Sequence, residues 1–155
     1  LDKTIVTALL VIAGVISAVF VFNSIYPAII QSSDAMTSME RRLDERLKSQ
    51  IAIIHAAKSG GNVLIWVKNV GALRVAAIEA CDVFFGPEGD FARIPYGVAG
   101  TPGLHWEYVV ESGGEWNPST TLKLTVLNYP SLPAGRYFVK VTLPNGISDE
   151  YFMSW

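Results

Sequence analysis

The sequence predicts an α+β protein in which one long N-terminal helix precedes an antiparallel β-sandwich. Three observations lead there. From Thr4 to Ser33 the chain carries no Lys, Arg, Asp or Glu. From Ser32 to Ala57 it contains neither Gly nor Pro. Past Gly61 the hydrophobic period falls to two, and β-branched and aromatic runs alternate with turn-forming clusters.

The uncharged run is apolar on every face, so water cannot solvate it as a surface helix. A helix crosses the bilayer core with roughly 20 apolar residues, and this run is long enough. Lipid or further copies of the same helix must therefore surround Leu9, Leu10, Ile12, Val15, Ile16, Val19, Phe20 and Phe22. Pro27 removes one backbone donor and is expected to kink the helix. Beyond it, Met36, Met39, Leu43, Leu47, Ile51 and Ile54 recur every three or four residues and define one stripe. Four acids and four bases between Asp34 and Lys48 fill the other faces. The spacing predicts a helix over residues 1–58, a linker at 59–62 and a sandwich over 63–155. Such a helix would be a rod of roughly 80 Å, too long for the remaining hundred or so residues to enclose.

In the second part, Val63–Lys68 reads as the first strand. Leu73–Ala77 and Ile78–Phe85 read as the next two, split or bent into one path. Phe91–Pro95 is a short strand at best. Leu104–Glu111, Thr120–Leu127, Arg136–Leu143 and Ile147–Trp155 follow, the last two joined by Pro144-Asn145-Gly146 with Asn-Gly as the hairpin signal. About seven short strands at this spacing have the dimensions of an immunoglobulin-like sandwich.

The chain has 155 residues and a formal net charge of −2, so no basic face points to nucleic acid. One cysteine, Cys81, excludes an intrachain disulfide and a zinc site built from cysteines of one chain. It lies in an apolar stretch and reads as a buried, inert thiol. His55 and His105 lack any motif that would make them catalytic, and no nucleotide-binding or metalloprotease motif occurs. Glu88, Asp90, Glu107, Glu111 and Glu115 have oxygens for a hard cation but not the regular loop spacing, so they read as solvated acids. Trp106, Tyr108, Trp116 and Tyr129 either line a sugar-binding face or, the preferred reading, fill the core and subunit contacts. Neither catalytic residues nor cofactor or metal ligands are expected.

The chain starts at Leu1, with Asp2 and Lys3 directly ahead of the apolar run, a pattern that suits cleavage before a retained helix. This architecture resembles the type IV pilin superfamily, whose prepilin-type leaders are processed in that way. With Leu1 and Ile5 where bacterial pilins have a methylated Phe and a Glu, it resembles the archaeal branch instead: archaellins and the related archaellar stator proteins. Ile65-Trp66-Val67-Lys68-Asn69-Val70-Gly71, followed by Asp82-Val83-Phe84-Phe85, is similar to the rhythm of those domains. So is Pro133-Ala134-Gly135-Arg136-Tyr137 leading to Leu143-Pro144-Asn145-Gly146-Ile147.

The resemblance implies a structural subunit of an extracellular, archaellum-type motility filament. It would wait in the cytoplasmic membrane and then polymerise into a helical homo-oligomer through Leu9–Phe22. Its partners would be an assembly ATPase and a membrane platform. Met36 to Ile54 would bind the helix to its own sandwich and to neighbours. The alternatives are a minor membrane-anchored stator or capping protein whose sandwich binds the surface layer, or an adhesive type IV-like pilin. A membrane-tethered enzyme or binding domain is disfavoured, because no convergent set of polar groups is visible.

Overall fold

A computed structural model describes residues 2–155. Its elements are the helix α1 (Asp2–Lys48) and eight strands: β1 (Ile51–Ser59), β2 (Asn62–Asn69), β3 (Asp82–Pro87), β4 (Ala92–Ile94), β5 (His105–Val110), β6 (Thr121–Leu127), β7 (Arg136–Thr142) and β8 (Ser148–Ser154). Two compact units result, one up to Arg42 and the other Leu43–Trp155.

The first unit is helix throughout, unbroken through Pro27, and no residue of α1 is buried. Thr7, Ser17, Ser24 and Thr37 turn their hydroxyls back onto the carbonyls four residues earlier, so their polar groups are satisfied within the helix.

The second unit is a sandwich of two four-stranded antiparallel sheets, in the orders β1-β2-β6-β5 and β4-β3-β7-β8. In immunoglobulin lettering these are ABED and C′CFG. Inward residues alternate along each strand: Val63, Ile65 and Val67 on β2; Leu122, Leu124 and Val126 on β6; Tyr137, Val139 and Val141 on β7. Trp106 and Trp116 are almost wholly buried, while Tyr108 and Tyr129 pack against the core from its margin. These aromatics therefore belong to the core and its edge. Tyr137, at the start of β7, donates its hydroxyl to the Pro133 carbonyl at 2.8 Å. That is the tyrosine corner of immunoglobulin-type folds, at the same place between strands E and F. Two residues on, where antibody domains carry the second disulfide cysteine, stands Val139.

Two expectations about elements need correction. The helix ends at Lys48, not Lys58, and Ile51–Ser59 is a strand paired with β2 from Ile51↔Asn69 to Ser59↔Asn62. Ser59–Asn62 is therefore a hairpin turn, with Gly60 in the left-handed region (φ 62°), and not a linker between domains. Ile51 and Ile54 thus leave the helical stripe: Ile51 is buried in the core and Ile54 lies at a bulge, facing solvent. The second correction concerns Leu73–Ala77. This segment is a loop with an isolated bridge from Val75 to Trp116, followed by a 3-10 turn at Ile78–Ala80.

Candidate functional site

The junction between α1 and β1 is built by the Lys68-Asn69-Val70-Gly71 stretch. A helix end leaves carbonyls without partners. Here the Ala72 amide donates to the Lys48 carbonyl at 2.7 Å, and the Val70 and Gly71 amides both donate to the Gln50 carbonyl at 3.0 Å. The buried Asn69 amide donates to the Leu73 and Trp116 carbonyls at 2.9 and 3.3 Å, while its oxygen accepts from the Gly71 amide. Gly71 has to be glycine, because a Cβ there would lie 2.6 Å from the Lys48 carbonyl oxygen and 2.5 Å from the Gln50 nitrogen. At the other side of the junction, Arg46 donates to the Asn145 carbonyl at 2.9 Å, and the Asn145 amide donates to Ser49 Oγ at 2.8 Å. The sequence reading picked out Asn69 and Gly71 by resemblance and Asn145 as a hairpin signal as well; in the structure they hold Lys48–Gln50.

Register separates the ends of the sandwich. The end where α1 enters holds residues 69–81, 111–120 and 143–147; the opposite end holds the turns at 59–62, 87–91 and 128–135. A cleft of about 260 Å³ at the helix end is lined by Arg74–Glu79, Tyr108 and Gly114–Trp116. Its charged groups are committed to one another: Arg74 pairs with Glu115, and the Tyr108 hydroxyl donates to Glu79. That bond pushes the Tyr108 phenol up to about 12 and holds the Glu79 carboxyl below its ordinary range. Such groups are not poised for proton transfer near neutrality.

Towards the far end, His105 is buried, with Nδ1 at 2.8 Å from the Gly103 carbonyl and Nε2 at 3.1 Å from Glu107 Oε1. The Gly103 contact, with Glu107 adding to it, raises the imidazole pKa above its ordinary 6.5 despite burial. Its ring thus bridges Gly103 of the 95–104 loop and Glu107 of its own strand. Cys81 is buried, and burial pushes its thiol up to about 12. Glu88, Glu107, Glu111 and Glu115 each lie within 4.0 Å of a basic side chain. Among the described residues, no group of three or more His, Cys, Asp or Glu could hold a metal ion.

What remains is apolar surface. Leu9, Leu10, Ile12, Val15, Ile16, Val19, Phe20 and Phe22 are each between 54 and 73% exposed. Met36, Met39, Leu43 and Leu47 are exposed as well. By length and composition α1 can cross a membrane.

No protein-family model matches the sequence. An uncharacterized protein of Archaeoglobus fulgidus is 28% identical over 164 residues, covering 99% of this chain and 98% of that protein. Among solved structures, the archaellum periplasmic stator protein FlaG of Sulfolobus acidocaldarius is similar with a TM-score of 0.59 and 22% identity, over 68% of this chain and 99% of that one. A chain of the FlaF–FlaG stator complex from the same organism is similar with a TM-score of 0.57 and 24% identity, over 67% of this chain and 88% of that one. The sandwich has the fold of these proteins.

Proposed function

We propose that this chain is a membrane-anchored structural protein of the archaellum stator kind. Its apolar helix would sit in the cytoplasmic membrane and its sandwich would stand outside. One observation carries the reading: an apolar helix with no buried residue is fastened by a hydrogen-bonded junction to a sandwich folded like FlaG. Lipid supplies the apolar surroundings that the helix needs, each fully buried large side chain contributing about 1.5–3 kcal/mol. The charged half of the helix then lies in water as a spacer. The role is to hold position, with surface-layer or machinery proteins as partners at the sandwich.

A filament subunit is the second reading, since copies of the helix could replace lipid around one another. The likeness to stator proteins favours the anchor. Fractionation of the native cells tests it, with mass spectrometry of sheared filaments and of washed membranes. Under the anchor reading the chain stays in the membrane fraction, resists carbonate, and is released by detergent. Its dominance in sheared filaments would replace this reading with the filament one.

A further inference from the structure

We infer that a cleft at the far end of the sandwich receives an arginine side chain of a partner protein. The inference rests on the anchor reading for its setting, in which the sandwich meets other proteins. The cleft, of about 330 Å³, lies between the 87–91 turn with β4 and the 128–131 turn. That is near the lower limit of small-ligand pockets and is room for one long side chain. Phe85, Ile94, Leu104 and Pro130 make it apolar, and Tyr129 and Asp90 stand among them. Buried Phe85 meets Tyr129 edge-on, with ring centroids 5.0 Å apart, and so positions that ring.

Asp90 gives the cleft its sign. From Ile51 onward, among the described residues, every other side-chain carboxylate has a hydrogen-bond or ion-pair partner, and Asp90 has none. Arg93 lines the cleft too, but its Nε is bound to Asp82 at 2.6 Å, towards the helix end of β3. The turn fixes Asp90 without using its side chain. The Asp90 amide donates to the Pro87 carbonyl at 2.9 Å, and the Glu88 amide donates to the Arg136 carbonyl at 3.0 Å. A Cβ on Gly86 would lie 2.6 Å from the Asp90 carbonyl oxygen, so the turn folds down directly onto that glycine. Burial, then Tyr137 and Asp90, raise the Tyr129 phenol above its ordinary pKa, so the ring stays neutral beside the carboxylate. A carboxylate without a partner, an aromatic face and apolar walls together match arginine. Its stem suits the walls, its planar head stacks on a ring, and its fork of N–H donors fits a carboxylate. Lysine matches the charge but not the stacking. Phe91 and Pro130 are exposed at the rim, which fits a protein surface around the side chain better than a free small cation.

NMR of the full chain in detergent micelles, with isotope-labelled tyrosine rings, tests the site. The probe is an acetylated and amidated Leu-Arg-Leu peptide at low salt. The Tyr129 signal, identified by its loss in Tyr129→Phe, should shift and saturate. Affinity should fall about three- to tenfold in Asp90→Asn, with the other tyrosine signals unmoved as proof of an intact fold. The same peptide with norleucine for arginine should bind the parent as weakly as the arginine peptide binds Asp90→Asn. No saturating shift at Tyr129, or equal affinity in Asp90→Asn, would overturn the site. Propylguanidinium binding as tightly as the peptide would replace the protein partner with a small cation, and displacement by millimolar calcium would replace it with a metal; either sinks the inference. Insertion of the same chain into lipid vesicles reads the anchor separately. Insertion without binding overturns the site alone, whereas binding without insertion supports the site and removes the membrane reading.

Discussion

Replacing Gly71 by Ala is expected to be the most damaging small change on the surface of the sandwich. The new Cβ would sit 2.5 Å from the Gln50 nitrogen, 2.6 Å from the Lys48 oxygen and 3.1 Å from the Ser49 carbonyl carbon. These are backbone atoms, so no side chain can turn aside. Ordinary contact near 3.4 Å requires the 70–72 loop to withdraw from the helix end by roughly 1 Å. The bonds at risk are Val70 and Gly71 to Gln50, and Ala72 to Lys48. At about 1 kcal/mol each, and with the small entropic gain of Ala over Gly set against them, the loss is about 2–4 kcal/mol. For a sandwich of this size that lowers the melting temperature by about 8–16 °C. The assay is thermal unfolding of the full chain in detergent micelles, followed by fluorescence of the buried Trp106 and Trp116. Gly135→Ala is the control, because nothing lies within 4 Å of its added Cβ and its φ is not positive. If both variants melt within a few degrees of the parent, the close approach at the junction is not what holds it.

Tyr137→Phe removes the bond to the Pro133 carbonyl and should cost about 1 kcal/mol, read as a melting temperature lower by a few degrees. Asn69→Ala removes three bonds from a buried position and should cost about 2–4 kcal/mol in the same assay. His105 has a raised pKa in the folded state, so its contribution to stability is complete below about 6.5 and is lost as the pH rises through the folded value. The melting temperature should accordingly fall on going from mildly acid to alkaline buffer, and fall less steeply in Glu107→Gln. Cys81 should resist maleimide in the native protein and react once it is unfolded, since its thiol is buried and its pKa is pushed up to about 12.

The helix was legible because nothing but an apolar environment accepts thirty uncharged residues in a row. Its end was not, and the reason lies in Ile51–Ser59. Ile51-Ala52-Ile53-Ile54-His55-Ala56-Ala57 contains no breaker, and its apolar residues fit either period. Pairing with β2 decides, a tertiary effect that overrides local propensity. Most strands of the sandwich appeared at their predicted places because alternation and turn chemistry agree there, as in β6 and the Asn145-Gly146 hairpin. Leu73–Ala77 misled because its apolar residues look strand-like while its backbone bonds go to Trp116, to the Asn69 side chain and to the following 3-10 turn. The Asn69–Gly71 device and the tyrosine corner were visible only as resemblances, since close approach and a bond four residues back leave no periodic trace. Whether lipid or other chains cover α1 was not legible, because both accept the same apolar residues.

The junction also determines how the sandwich carries a load. The chain comes up from α1 into β1 at Ile51, and β1 runs the length of the sheet towards the far end. If the chain is anchored as proposed, a load applied at that far end is directed along the strand. Interstrand hydrogen bonds lie across an antiparallel pair, perpendicular to its strands. The β1–β2 ladder is then loaded in shear, its bonds strained together on either side of the bulge between Ile53 and His55. The same ladder pulled apart at its open end, Ile51 away from Asn69, would unzip one rung at a time. A tether attached in this way resists tension with the whole length of the strand.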